Sequence, residues 1–327
     1  MLNKNELGGK VVAITGANGY IGSALTLELN KYSVKIVRVS RTKLTPIEGI
    51  KDLVLDLSIA SSWIKIVSEV DIIFHLAGNT SLNYAEKNPK ESLKSALLPI
   101  SQLISASREL CRSPTVVFAS TASVYGLTNE FPVVESIKPN PISTYDLHKF
   151  FAEQELFKAS QKNIINSINL RLANVYGPSL TESSAQSRGV INKLTRMRLE
   201  GRKIQIYGDG NNIRDYVYIG DVVNAFIHAS IIGNAENILN VASGVGTRTN
   251  QVFSLICAEI EKQTGIIGAV ENIDWPKGAH EIDKRNFIGS SERLQSLSGW
   301  SPSISLEEGI KLLVNHYAKE LKNDSVS

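Results

Sequence analysis

Tyr145 and Lys149 stand four positions apart, and their residue types at that spacing suggest chemistry. On a helix, residues four apart share one face, about a turn from each other. A free phenol titrates near ~10 and is a poor base at neutral pH. A neighbouring ammonium favours the phenolate and lowers that value. Each unit of lowering corresponds to about 1.4 kcal/mol. The pair is therefore suited to moving a proton on or off a substrate hydroxyl. Shortly upstream, an apolar run at 116–119 leads into Ser120, Thr121 and Ser123. These three hydroxyls lie at an expected strand end, where one of them could hold the reacting oxygen.

A second constellation lies near the N-terminus. Val11, Val12, Ala13 and Ile14 form an apolar, β-branched run that reads as a buried strand. It leads into Gly16, Gly19 and Gly22, and a helix-like pattern follows over 23–29. Gly16 can take a tight turn at positive φ. Gly19 lets a pyrophosphate approach the backbone, and Gly22 lets the helix lie close to the strand. The helix then aims its N–H groups and the positive end of its dipole at the phosphates. The spacing is Gly-x-x-Gly-x-x-Gly rather than Gly-x-Gly-x-x-Gly. Between a strand and a helix it predicts a dinucleotide site. A bound oxidised nicotinamide would lower the Tyr145 phenol further.

Both constellations need a scaffold that brings strand ends together. Strand-like runs at 11–15, 34–40, 53–55, 71–76, 116–120 and 168–172 alternate with helical patterns at 23–29, 91–110 and 145–160. Such alternation predicts an α/β fold with a doubly wound parallel sheet, in which ligands collect at the carboxyl ends of the strands. After Leu172 the pattern loosens. Gly177 and Pro178 break it, and 181–189 reads as polar loop. Helices are expected at 191–199 and 251–262, strands at 203–207 and 238–242, and an irregular loop at 275–285. Asp221 is expected to cap a helix running through Ala229. Ser305 and Glu308 form a capping box for a last helix to about Leu321. The domain reading is 1–173 for the dinucleotide, with a return segment near 213–242. Residues 174–212 and 243–327 form a smaller C-terminal α/β substrate lid.

With 327 residues and 43% apolar composition, the chain can bury a substantial core. A net charge of +3 without long basic runs argues against nucleic acid and suits phosphorylated small molecules. Cys111 and Cys257 offer neither a disulfide framework nor a Cys-x-x-Cys metal site. His228 and His280 have no partners at metal-ligand spacing, so no metal is expected. No secretory segment and no apolar run of ~20 residues is found. A cytoplasmic protein without a membrane contact is the expectation. His75, closing a strand, is read as a packed backbone-bonding residue. His148 is placed on another face from Tyr145 and Lys149 and read as structural.

Six motifs occur in order: Thr-Gly-Ala-Asn-Gly-Tyr-Ile-Gly (15–22), Phe-His-Leu-Ala-Gly (74–78), Ser-Thr-Ala-Ser-Val-Tyr-Gly (120–126), Tyr-x-x-x-Lys (145–149), Arg-Leu-Ala-Asn-Val-Tyr-Gly-Pro (171–178) and Arg-Asp-Tyr-Val-Tyr-Ile (214–219). By this set the chain resembles the extended short-chain dehydrogenase/reductases of the nucleotide-sugar epimerase and dehydratase group, from about Lys10 to Tyr317. The resemblance implies a Rossmann fold with NAD or NADP as cofactor, a nucleotide-diphosphate sugar as substrate and a homodimer. The dimer contact would be a four-helix one built from the helices near 91–110 and 145–160. It makes Tyr145 the acid/base, Lys149 a partner of the nicotinamide ribose and Thr121 the catalytic hydroxyl. Gly16, Asn18, Gly19, Tyr20, Ile21 and Gly22 would hold the cofactor diphosphate. Asp56 and Leu57 would meet the adenine, and Leu76, Ala77 and Gly78 would line the cofactor. Thr80, Ser123, Asn174 and Arg214 would face the substrate, Arg214 clamping its diphosphate.

Three departures bear on specificity. Ser40 and Arg41 stand where an acidic residue would grip the NAD ribose, which favours NADP. Ser95 stands where the helix often carries Asn. Pro276 stands where relatives carry Arg, so Lys277 or Arg285 would replace that contact. A 4,6-dehydratase of this group has Asp-Glu after its threonine, whereas Ala122 and Ser123 follow here, which disfavours that activity. The sequence reading therefore favours a nucleotide-sugar epimerase acting at carbon 4. An NADPH-dependent 4-keto-sugar reductase is the alternative, and a non-catalytic nucleotide-binding relative the second alternative.

Overall fold

Apolar runs without polar alternation form strands covered on both faces, and the helices between them supply the cover. In the computed structural model, which describes residues 6–179, 189–233, 238–268 and 270–324, the first half runs in this order. β1 (Val11–Thr15), α1 (Tyr20–Leu29), β2 (Lys35–Ser40) and β3 (Lys51–Val54) are followed by α2 (Ala60–Val67), β4 (Ile72–His75), α3 (Leu82–Lys87) and α4 (Pro89–Glu109). Next come β5 (Thr115–Thr121), a 3-10 turn (Ala122–Tyr125), α5 (Thr144–Gln161) and β6 (Asn166–Leu172).

The second half contains β7 (Asn174–Tyr176), α6 (Val190–Leu199), β8 (Ile204–Tyr207), β9 (Ile213–Tyr218), α7 (Ile219–Ala229) and β10 (Ile238–Val241). β11 (Gly246–Arg248), α8 (Thr249–Thr264), β12 (Val270–Ile273), a second 3-10 turn (Glu281–Lys284), α9 (Glu292–Ser298) and α10 (Leu306–Asp324) complete it.

Seven strands form one sheet in the order β10-β6-β5-β4-β1-β2-β3, and every neighbouring pair is parallel. The chain moves outward from β1 to β3, then crosses back to β4. β1 and β4 therefore flank the point where winding reverses, and a cleft opens there beyond the carboxyl ends. One face of the sheet is packed by α1 and α7, around Leu25, Phe74 and Phe226. The other is packed by α2, α4 and α5, around Trp63, Leu103 and Leu156. This is the doubly wound parallel sheet that the sequence predicts.

A separate apolar cluster unites α6, α8 and α10 with β8, around Ile204, Ile256 and Tyr317. Beside it lie a three-stranded sheet, β11-β9-β7, and a two-stranded one, β12-β8. The segment read as a return into the main sheet divides. β9 belongs to the three-stranded sheet, while β10 pairs with β6 in the large one. Leu294 and Trp300, from the stretch assigned to the lid, are buried in the core of the large sheet.

Other elements differ from the reading. α2 and α3 are short helices that no long periodic pattern announces. Asp221 does not cap α7, which starts two residues earlier behind Tyr218. Its carboxylate instead accepts the Ser303 hydroxyl at 2.7 Å and the Ile304 N–H at 3.1 Å, fixing the strap before α10. Ser305 does take the Glu308 N–H at 3.2 Å, one of the two bonds of a capping box. The loop expected at 181–189 lies, up to 188, outside the described residues.

Candidate active site

The glycine corner is built to leave no room. Gly16 has φ +69°, and a Cβ there would lie 2.8 Å from the Ala77 nitrogen. A Cβ on Gly22 would fall 2.3 Å from the Gly16 carbonyl oxygen. The turn closes by a 2.8 Å bond from Gly19 N–H to Gly16 O. α1 starts behind Gly19 with no side-chain cap, so its first-turn N–H groups are presented beyond the sheet. Those donors and the dipole suit a diphosphate. Asn18 and Ile21 are half-buried at this corner. The Tyr20 side chain turns away from it. Its hydroxyl donates to Gly177 O at 2.7 Å and accepts from Asn192 at 3.2 Å. Any cofactor contact of Tyr20 would thus come from its backbone.

Two further strand ends complete the cradle. Thr15, ending β1, receives the N–H groups of Leu76 and Ala77 at 3.2 Å each, which holds 76–78 against the corner. His75 Nδ1 lies 2.8 Å from the same Thr15 hydroxyl, a side-chain contact rather than the backbone bond expected. Burial drops its imidazole to about 3, so it stays neutral and packs between Trp63 and Phe118. At the outer edge Ser40 ends β2 and accepts the Thr42 N–H at 3.1 Å. Arg41 is exposed. Asp56 accepts the Ser58 N–H at 2.9 Å. That bond holds its carboxyl below the usual range, with smaller help from the Arg41 and Lys94 charges. Leu57 is buried beside it.

α5 delivers the proton-transfer pair. Ser143 caps it by accepting the Asp146 N–H at 3.1 Å. Tyr145 and Lys149 border one small cleft, together with Ala77, Gly78, Ser95 and His148. Lys149 is buried. Its Nζ donates to Ala119 O at 2.8 Å and lies 4.5 Å over the Phe118 ring. Desolvation pulls the ammonium down to about 8, against the pull of Glu153. The structure corrects the reading of His148. It lines the same cleft, with Nδ1 3.0 Å from the Ser92 hydroxyl, because buried helix positions one apart can both border a cleft that wraps the helix end.

The three hydroxyls after β5 part company. Ser120 donates to Glu153 at 2.5 Å, and Glu153 also takes a two-point bond from buried Arg171, at 3.1 and 2.7 Å. Ser123 donates to Asp146. Thr121, half-buried at the strand end, lies 2.7 Å from the Ser123 hydroxyl. Sequence reasoning passed over Asp146 and Glu153. The spacing 145–149–153 carried a signal for Glu153, since it continues the same helical face. Nothing in the sequence pairs Asp146 with Ser123.

A third group gathers around β7, β9 and the 281–287 segment. Asn174 donates its amide to Asp215 O at 3.0 Å. The neighbouring Arg214 guanidinium donates to the carbonyls of Ile213, at 3.2 Å, and of Asp283. Arg285 is brought down to about 10 by burial first and by the Arg214 charge second, and its buried Nε has no partner among the described residues. Two guanidiniums that repel each other without a carboxylate in ion-pair contact, among the described residues, make a place for an anion. Thr80 is exposed at the end of the 76–80 loop. No group of three or more metal-ligating side chains occurs among the described residues, and none of their helices is long and apolar enough to cross a membrane.

The chain resembles known proteins along most of its length. A family model described as "NAD dependent epimerase/dehydratase family" matches residues 12–242. A protein of Methanocaldococcus jannaschii named putative UDP-glucose 4-epimerase is 29% identical over 316 residues, covering 93% of this chain and 97% of its own length. The GDP-6-deoxy-D-mannose reductase of Pseudomonas aeruginosa is 24% identical over 317 residues, covering 95% and 98%. Among solved structures, the UDP-glucose 4-epimerase of Thermotoga maritima with UDP-glucose superposes with a TM-score of 0.84 at 29% identity, covering 95% of this chain and 99% of its own.

Proposed function

Because the chain belongs to the NAD dependent epimerase/dehydratase family, we propose that it epimerises a nucleotide-bound sugar at carbon 4, with Tyr145 as acid and base. It is an NAD(P)-dependent enzyme of the extended short-chain dehydrogenase/reductase type. The dinucleotide, when bound, supplies a hydride acceptor and donor at the sugar carbon. Gly16, Asn18, Gly19 and the backbone of Tyr20, Ile21 and Gly22 hold its diphosphate. Leu76, Ala77 and Gly78 line its path to the cleft, and Asp56 and Leu57 take the adenine. Lys149 holds the ribose and keeps a positive charge near the Tyr145 phenol. Tyr145 removes the hydroxyl proton as the sugar is oxidised and returns it after the ketone has turned over. Thr121 holds the reacting oxygen.

Arg214 and Arg285 clamp the nucleotide-sugar diphosphate, with Asn174 beside them. Thr80 and Ser123 border the sugar. The part built on α6, α8 and α10 with β8 acts as the layer that closes over the dinucleotide-binding part. The relatives' names make UDP-glucose the first sugar to offer, together with its carbon-4 epimer UDP-galactose.

The observation that carries this reading is the buried Lys149 ammonium on the Tyr145 face of α5, bordering one cleft with that phenol and Gly78. The test is interconversion of UDP-glucose and UDP-galactose by the wild type and by Tyr145→Phe. Removing the acid/base should lower kcat by roughly 10²–10⁴-fold. Unchanged turnover in the variant would refute the assignment.

A second reading, an NADPH-dependent 4-keto-sugar reductase, is favoured by one feature. Arg41 is exposed on the rim beside Asp56, free to meet a 2′-phosphate. The dinucleotide content of freshly purified protein separates the two. Retained cofactor and turnover without added reductant mark an epimerase, whereas an empty site and NADPH consumption mark a reductase.

A further inference from the structure

Tyr20 sends its backbone and its side chain to different places. Its backbone opens α1, which starts without a side-chain cap. Its hydroxyl reaches the other way and donates to Gly177 O at 2.7 Å. Burial pushes the phenol up, so its proton stays available to that carbonyl. Asn192, in the first turn of α6, completes the contact. Its amide donates to Gly177 O at 2.7 Å and to the Tyr20 hydroxyl at 3.2 Å, and its oxygen accepts the Gly177 N–H at 3.1 Å. Asn192 has no exposure and Tyr20 only 9%. Gly177 has φ +130°, and a Cβ there would lie 2.6 Å from Ile219 Cγ2. One asparagine thus holds both polar groups of a glycine that no other residue replaces without strain.

These bonds join two parts of the molecule that carry different ligand groups. On one side is the glycine corner. On the other, Gly177 directly follows β7, which pairs with β9 so that Asn174 stands opposite Tyr216, two residues from Arg214. α6 packs in the second apolar cluster with α8 and α10. A helix start without a side-chain cap frays. A diphosphate there supplies the missing acceptors and pins the first turn, and with it the Cα of Tyr20. The hydroxyl then holds Gly177 O more persistently, and Gly177 and Asn192 pass that hold to β7 and α6. Linkage makes such an effect mutual: a ligand that steadies β7 and α6 steadies the corner in turn.

We propose that Tyr20 is a positioning residue whose hydroxyl couples dinucleotide binding at the glycine corner to the footing of the substrate-binding part at Gly177 and Asn192. This rests on the reading of the corner as the dinucleotide site and of the Asn174 and Arg214 side as the nucleotide-sugar site. It adds a role for a side chain that touches neither ligand.

Hydrogen exchange of the full chain, read by mass spectrometry with and without saturating NADP or NAD, tests this. In the wild type the dinucleotide should slow exchange at 174–177 and 190–199 by about tenfold, the worth of one hydrogen bond. In Tyr20→Phe holding the same dinucleotide, both segments should exchange as they do without it. Asn192→Ala keeps the bond from Tyr20 to Gly177 O. Its protection should persist at 174–177 and be lost at 190–199. UDP should bind the wild type about tenfold more tightly once the dinucleotide is bound, and Tyr20→Phe should lose that gain. A tyrosine that only packs would lower the unfolding temperature on substitution and leave both responses in place. Wild-type segments indifferent to the dinucleotide, or a Tyr20→Phe protein that responds like the wild type, would overturn the proposal. Should Tyr20→Phe fail to fold, equal protection of both segments in Asn192→Ala would overturn it as well. The exchange pattern without any binding of UDP would refute the UDP-sugar reading and leave the coupling intact, whereas a chain that binds neither dinucleotide would refute both.

Discussion

Arg41 and Asp56 occupy the same rim, and their opposite charges meet different dinucleotides differently. A carboxylate repels a 2′-phosphate, whereas an exposed guanidinium takes it as a charge-assisted partner. Asp56 is held charged by the Ser58 N–H, so the preference rests on Arg41. Arg41→Ala is expected to weaken NADP(H) binding by about tenfold or more and to leave NAD(H) nearly unchanged. Fluorescence titration with both dinucleotides checks this, and equal losses would remove the case for NADP.

His75 gives a second prediction at this scale. Its imidazole is neutral in the folded protein down to about 3, while in an unfolded chain it takes a proton near ~6.5. Below that pH the unfolded state binds the extra proton, so stability falls as pH falls, by up to about 1.4 kcal/mol per unit until about pH 3. Urea midpoints of His75→Asn should show a shallower decline between pH 6.5 and 5 than the wild type. Equal slopes would show that another group dominates. At the residue scale, the sequence revealed groups recognisable by local spacing, such as Tyr145 with Lys149. Asp146 and Ser123 are 23 positions apart, and no periodicity links a helix start to a strand end.

α5 is the element on which these groups depend. Its inner face carries Tyr145, Lys149 and Glu153, and Glu153 ties it to β5 through Ser120 and to β6 through Arg171. Breaking a buried ion pair by removing one partner costs about 3–5 kcal/mol. The tie therefore fixes both the rotation of the helix and the surroundings of Lys149. Glu153 raises the Lys149 value against the larger effect of desolvation. Once that carboxylate is gone, the ammonium loses its proton at a lower pH. The alkaline limb of kcat/KM, expected near 8 in the wild type, should move to lower pH in Glu153→Gln and return in Glu153→Asp. Rate profiles measured where both variants remain folded decide it, and a limb that stays in place would exclude the coupling. The helix itself was legible because eighteen residues contain repeated buried positions. α2 and α3 are eight and six residues long, too short to show a period, and β9 left the main sheet because only distant partners define its edge.

At the scale of the whole molecule, the two cores meet where Tyr20, Gly177 and Asn192 are joined by buried hydrogen bonds. The glycine corner and the chain after β7 thus share one buried contact, which a motif-by-motif reading does not show. The outer face of the α4–α5 pair is different. Leu147 and Phe151, one turn apart on the side of α5 away from Lys149, are 37% and 40% exposed, and Leu93 on α4 is 36% exposed. Three large apolar side chains on this pair of packed helices meet water at a cost. A second copy related by a two-fold axis would bring the same helices against them, making the four-helix contact proposed from the resemblance. Glutamate at position 151 would bury an unpaired charge on each side of that axis. Sedimentation should show a dimer for the wild type and a monomer for Phe151→Glu at micromolar concentration. If the wild type sediments as a monomer, or the variant as a dimer, the α4–α5 face is not the contact. Because Lys149 lies on the opposite side of α5, the monomeric variant should still bind dinucleotide, and its loss would show that pairing holds the catalytic helix in place.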